Sequence, residues 1–91
     1  MNEILIEKNP TEQRLKDLGV LQWDVWSKGI KSFPWHYDEQ EICYFTQGSV
    51  RVTPEGKEPV LVGKGDLVTF PVGMSCVWEV LEPISKHYSF E

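Results

Sequence analysis

The chain has 91 residues, a net charge of −5, four Trp, four Phe and three Tyr. That length fits one domain, 1–91, able to bury roughly 60–65% of the surface its unfolded chain exposes. The acidic balance excludes a non-specific nucleic-acid binder, which needs a basic stripe, and a protein that docks on anionic membranes.

In chain order, Ile4 to Glu7 predicts a short first strand. Asn9-Pro10-Thr11-Glu12 then reads as a helix start, with Asn9 as cap, Pro10 in the first position and Glu12 as the capping acid. Leu15 and Leu18 give this one short helix an apolar face, and Gly19 ends it. Val20 to Lys28 reads as a strand with Leu21, Trp23 and Val25 in one phase, broken at Gly29. Ser32 to Tyr37 and Glu41 to Thr46 follow, with Gln47-Gly48 as a turn. Val50 and Val52 alternate with Ser49, Arg51 and Thr53, the pattern of a half-buried strand. Pro54-Glu55-Gly56-Lys57 makes a hairpin tip, and Gly63-Lys64-Gly65-Asp66 a second tight turn after Pro59 to Val62. Leu67 to Phe70, Ser75 to Leu81 and Ile84 to Phe90 complete the set, with Pro71-Val72-Gly73 and Glu82-Pro83 between them. Short strands with turn signals every ~8–12 residues indicate an all-β sandwich or barrel.

Two segments carry a family resemblance. Six residues separate Glu41 from Gly48, and Gly65-Asp66-Leu67-Val68-Thr69-Phe70-Pro71-Val72-Gly73 gives a Gly, five residues, then Pro-x-Gly. These resemble the two sequence motifs of the cupin superfamily. The finer pattern runs through Trp35-x-Tyr37-Asp38-x-x-Glu41-x-x-Tyr44, Cys76-x-Trp78, Glu82-Pro83 and Lys86-His87-Tyr88. It resembles a subgroup of short cupins of mostly unknown function, near the ureidoglycine aminohydrolase and ethanolamine-utilisation cupins. The resemblance implies a single small β-barrel, a double-stranded β-helix or jelly roll, with one short N-terminal helix. It also implies a homodimer.

Metal-binding cupins carry two His shortly before the Glu and a third after the Pro-x-Gly turn. The corresponding positions are Trp35, Tyr37 and Cys76, so only Glu41 matches. Trp35 has no lone pair to give, and Tyr37 could ligate only as a phenolate. No cofactor is therefore expected. A divalent, thiophilic metal remains the alternative, held by Glu41, Cys76 and Cys43, with Tyr37 fourth.

Glu41 and Tyr37 are the candidate catalytic residues, a carboxylate and a phenol able to transfer protons. Trp35, Cys76 and Trp78 share their face and are candidate ligand contacts, with aromatic fillers and an inert thiol as the plain reading. His36 alternates to the outer face, Phe45 and Phe70 are core, and Lys64 and Asp66 serve a turn. The first expectation is a metal-independent cupin acting on a small molecule, a carbohydrate or a small carboxylate metabolite. A metal-dependent enzyme with atypical ligands and a non-catalytic binding or dimeric scaffold protein are the alternatives. Two cysteines are too few for a secreted disulfide framework, and Met1-Asn2-Glu3 opens no signal peptide. The expected location is the cytoplasm, with both thiols reduced.

Overall fold

Two long strands organise the molecule. A computed structural model describes residues 3–91. Its elements are β1 (Leu5–Lys8), α1 (Glu12–Leu18), a 3-10 turn (Val20–Gln22), β2 (Asp24–Lys28), β3 (Ser32–His36), β4 (Glu41–Pro54), β5 (Val60–Gly63), β6 (Asp66–Phe70) and β7 (Ser75–Phe90). Strands β4 and β7 pair antiparallel from Glu41↔Phe90 to Pro54↔Cys76. The first half of β4 also pairs β6, and the second half pairs β5. On the far side of β7, its first half pairs β3 and its second half pairs β2. Strand β1 extends the sheet beyond β6. One half thus runs β1-β6-β4-β7-β2 and the other β5-β4-β7-β3, the small all-β arrangement the sequence predicted.

Four predicted turns and boundaries differ. Gln47-Gly48 does not turn the chain. It is a bulge inside β4, where the pairing with β7 shifts between Phe45 and Val50. The shift flips the inward phase from Glu41, Cys43 and Phe45 to Val50, Val52 and Pro54, all buried, as one extra residue in a period-2 strand must. Gly48 takes φ 81, and a Cβ there would overlap the Pro83 carbonyl. Glycine is therefore required on two counts. Glu82-Pro83 likewise leaves β7 continuous; Pro83 lies at the irregular stretch, where a missing N–H breaks no regular ladder bond.

Asn9 is not the helix cap. It sits at φ 47 and donates its N–H to the Gly65 carbonyl at 2.9 Å. Thr11 caps instead, its Oγ1 accepting from Arg14 N at 3.1 Å. Gly19 ends the helix in the left-handed conformation as expected. Residues 20–28 are not one strand either. Leu21 and Val25 are exposed, whereas Val20 is buried and Trp26 turns inward onto the core.

The interior is Phe45, Val50, Val52, Val62, Val68, Phe70, Trp78, Val80 and Ile84, all nearly inaccessible. Inward-facing residues of β4, β5, β6 and β7 supply this set. No described helix is long and apolar enough to cross a membrane.

Candidate functional site

One inner phase of β7 carries Ile84, Lys86, Tyr88 and Phe90 in succession. Burial falls along it from Ile84, 2% exposed, to Phe90, 46% exposed. This gradient marks the direction of an opening. Beside it, β4 contributes Glu41, β2 contributes Trp26, and β3 with the residue after it contributes Phe33, Trp35 and Tyr37. These side chains line a pocket of about 210 Å³ whose inner wall is Trp78. A cavity of roughly 150 Å³ accepts a benzene ring, so this one suits a small metabolite.

At its base Lys86 Nζ donates to Glu41 Oε2 at 2.7 Å. Both side chains are about 5% exposed or less. Four rings surround the ammonium, with centroids at 4.7 Å (Trp78), 5.3 Å (Trp26), 5.8 Å (Phe45) and 5.9 Å (Phe70). Their negative faces replace part of the lost hydration. Lys86 stands opposite Phe45 in the register, and its long stem reaches along β4 toward Glu41. A buried ion pair costs desolvation that excellent geometry only roughly repays. Its presence here asks for a reason beyond stability.

Tyr37 is 1% exposed and stacks on Phe70 at 4.9 Å. Its hydroxyl and Trp78 Nε1 are both buried, with no hydrogen-bond partner among the described residues. Burial, then the Glu41 charge and the two thiols, push the phenol far above its ordinary pKa, with Trp78 opposing the rise. Tyr37 is therefore a neutral donor. Burial also pushes the Cys43 thiol up to about 12, against the pull of Lys86. Cys76 is raised by burial too, with Trp78 opposing.

These observations bear on the alternative metal set. A cation already stands against Glu41, and it is Lys86. Among the described residues no group of three or more His, Cys, Asp or Glu is placed to hold a metal. Glu41, Cys76, Cys43 and Tyr37, the alternative set, include no such group.

Of the predicted site residues, the structure brings Glu41, Tyr37, Trp35 and Trp78 to one pocket. Trp35 stands at the mouth, 47% exposed, edge-on to Tyr37 at 6.4 Å. Cys76 is not a wall of this pocket. It is buried, and it borders a shallow groove with Pro54 and Val77. Cys43 is buried in the core, and both thiols are free. His36 lies outside as expected, bonded to Ser75 Oγ at 2.7 Å, and His87 Nδ1 lies 3.3 Å from the Trp23 carbonyl. The sequence reading missed Lys86 and Trp26. The signal for Lys86 was present: it is the one charged residue in the phase Ile84, Tyr88, Phe90.

Comparison with known proteins agrees with this fold. A family model described as EutQ-like cupin domain matches residues 15–88. The crystal structure of a DUF861 family protein from Thermotoga maritima is similar at 47% identity and TM-score 0.94, over 98% of this chain and 100% of that one. An ethanolamine utilization protein Q from Salmonella typhimurium is similar in fold at TM-score 0.66 and 24% identity, over 72% of this chain and 53% of that one. The Clostridium difficile EutQ protein is similar at TM-score 0.63 and 22% identity, over 70% and 46%. The chain thus spans about half the length of the two EutQ proteins. No curated protein matches it with significance.

Proposed function

We propose, given that this chain belongs to the EutQ-like cupin domain family, that its pocket binds a small organic metabolite bearing a carboxylate or carbonyl oxygen, and that Glu41 and Lys86 act on that group. The observation that carries the reading is the buried Lys86–Glu41 pair, 2.7 Å apart, inside an aromatic-walled pocket. An ammonium has three donors. One goes to Glu41, and the others are available to an incoming oxygen. Trp26, Phe33 and Trp35 offer flat apolar walls for the rest of the ligand. A carbohydrate is the poorer fit, because a sugar presents hydroxyls on every side and these walls supply few polar partners. Glu41, moving a proton to or from the bound group, is the acid–base element.

Tryptophan fluorescence and thermal shift with small carboxylates, small carbonyl compounds, sugars and divalent metals test this reading. Carboxylates or carbonyl compounds should quench saturably and raise the melting temperature, since a ligand of the native state stabilises it. Lys86→Met should lose the response. Stabilisation by metal ions alone, or by sugars alone, overturns it.

A further inference from the structure

We propose that Lys86 is an amine nucleophile, and that the pocket forms a covalent iminium between Lys86 Nζ and the carbonyl carbon of a small aldehyde or ketone. This rests on the binding reading above and narrows its ligand class.

Three features converge on Nζ. It lines a pocket that admits a ring-sized molecule. A carboxylate oxygen lies 2.7 Å away, close enough to take its proton directly. Four aromatic rings enclose it at 4.7 to 5.9 Å. Lysines in water-poor pockets are the ones that serve as carbonyl nucleophiles. The rings favour the ammonium at rest, which works against attack. They also favour an iminium, which is a cation centred on the same nitrogen. The enclosure therefore stabilises the cationic product as well as the resting state, and Glu41 supplies the route between them.

The step balances without a co-reactant. Glu41 accepts a proton from the Lys86 ammonium, and the neutral amine adds to the carbonyl carbon. The carbonyl oxygen takes the proton back from Glu41, giving a protonated carbinolamine. That nitrogen returns a proton to Glu41, which passes it to the hydroxyl. The C–O bond breaks, water leaves, and the nitrogen lone pair forms the C=N bond. The sum is ammonium plus carbonyl giving iminium plus water, with Glu41 a carboxylate at both ends. The iminium draws electrons from the neighbouring carbon, which places proton abstraction or C–C cleavage beside the carbonyl within reach of the same carboxylate.

The test uses the full chain with benzaldehyde and, separately, pyruvate, each with cyanoborohydride, which reduces an iminium to a stable secondary amine. Peptide mass spectrometry then maps the adduct. The expected result is one adduct at Lys86, formed about tenfold or more faster than at the exposed Lys16, Lys31 and Lys64. Glu41→Gln should slow it about 100-fold. Lys86→Arg, which keeps the cation, should abolish it. Mapping on the unaltered protein keeps the test valid if either variant folds poorly. Saturable fluorescence quenching with adducts only on exposed lysines overturns the iminium and leaves the binding reading standing. Neither quenching nor adduct overturns both.

Discussion

Two side-chain carboxylates are buried among the described residues, and their surroundings differ. Asp66 opens β6 and is 6% exposed. Its Oδ2 accepts from Gly63 N at 2.9 Å and from Lys8 Nζ at 3.1 Å. The Lys8 side chain is 63% exposed, so one side of this pair stays in water. Asp66 closes a turn. Glu41 is 3% exposed, and its partner Lys86 is as deeply buried as it is. Rings and a cavity take the place of turn backbone there. The contrast teaches how to separate a structural acid from a chemical one. The first is tied to a backbone N–H of its own turn and to a lysine that reaches into water. The second is paired at 2.7 Å with a buried cation, and the pair lines a pocket that a ligand can enter.

The largest effect that would break this contrast comes from Lys86→Met. It leaves an unpaired carboxylate among rings and should cost about 3–5 kcal/mol by urea unfolding. The double variant Glu41→Leu/Lys86→Met should recover most of that, because a packed apolar pair replaces the ionic one. A single-variant cost below about 1 kcal/mol would mean that the pair is not held as described.

Asp66→Ala should come next, at about 1–3 kcal/mol, from the orphaned Gly63 N–H and the lost charge partner. Ligand response by fluorescence should survive it. Loss of that response would dissolve the distinction between the two acids.

Alkaline titration sharpens the comparison, because raised thiol and phenol groups surround Glu41. Folded Cys43 keeps its proton up to about 12, whereas an unfolded thiol releases it near 9. Between those values the unfolded chain binds fewer protons, so stability falls as pH rises. The slope from this one group is about 1.4 kcal/mol per pH unit, and burial of Tyr37 acts in the same direction. Cys43→Ala should flatten the unfolding curve over that window relative to the unaltered chain. Equal slopes would contradict a protonated, buried thiol.

The smallest effect belongs to Lys8→Ala. With its side chain mostly in water, the Lys8–Asp66 pair should be worth at most about 1 kcal/mol, and that difference should shrink in high salt. A loss as large as that of Lys86→Met would erase the contrast.

Much of this was legible in the residues. Alternation placed Glu41, Cys43 and Phe45 on one face and Val50 and Val52 on another, and both sets are buried. The flip between them was read as a turn at Gln47-Gly48, since a turn and a bulge both want glycine at positive φ. Only the pairing partner, the Glu82–Ser85 stretch of β7, distinguishes them. Trp26 was lost to a phase error: a 3-10 turn at Val20–Gln22 shifts the strand after it. Lys86 was overlooked for a different reason. Its value comes from Glu41, which is 45 residues away in sequence. The four rings that enclose it come from β2, β4, β6 and β7, and no local pattern reveals their meeting.

The β4–β7 ribbon also governs the order of assembly. It joins residues 41–54 to residues 75–90, so strand β4 emerges during synthesis long before the segment that covers one of its edges. At ~5–20 residues per second, that edge waits for seconds with unpaired N–H and C=O groups. Only when residue 90 has cleared the exit tunnel can the ribbon zip from end to end. Nascent copies are thus most prone to pair with one another in that interval, and a chaperone that shields extended segments would have its greatest value there.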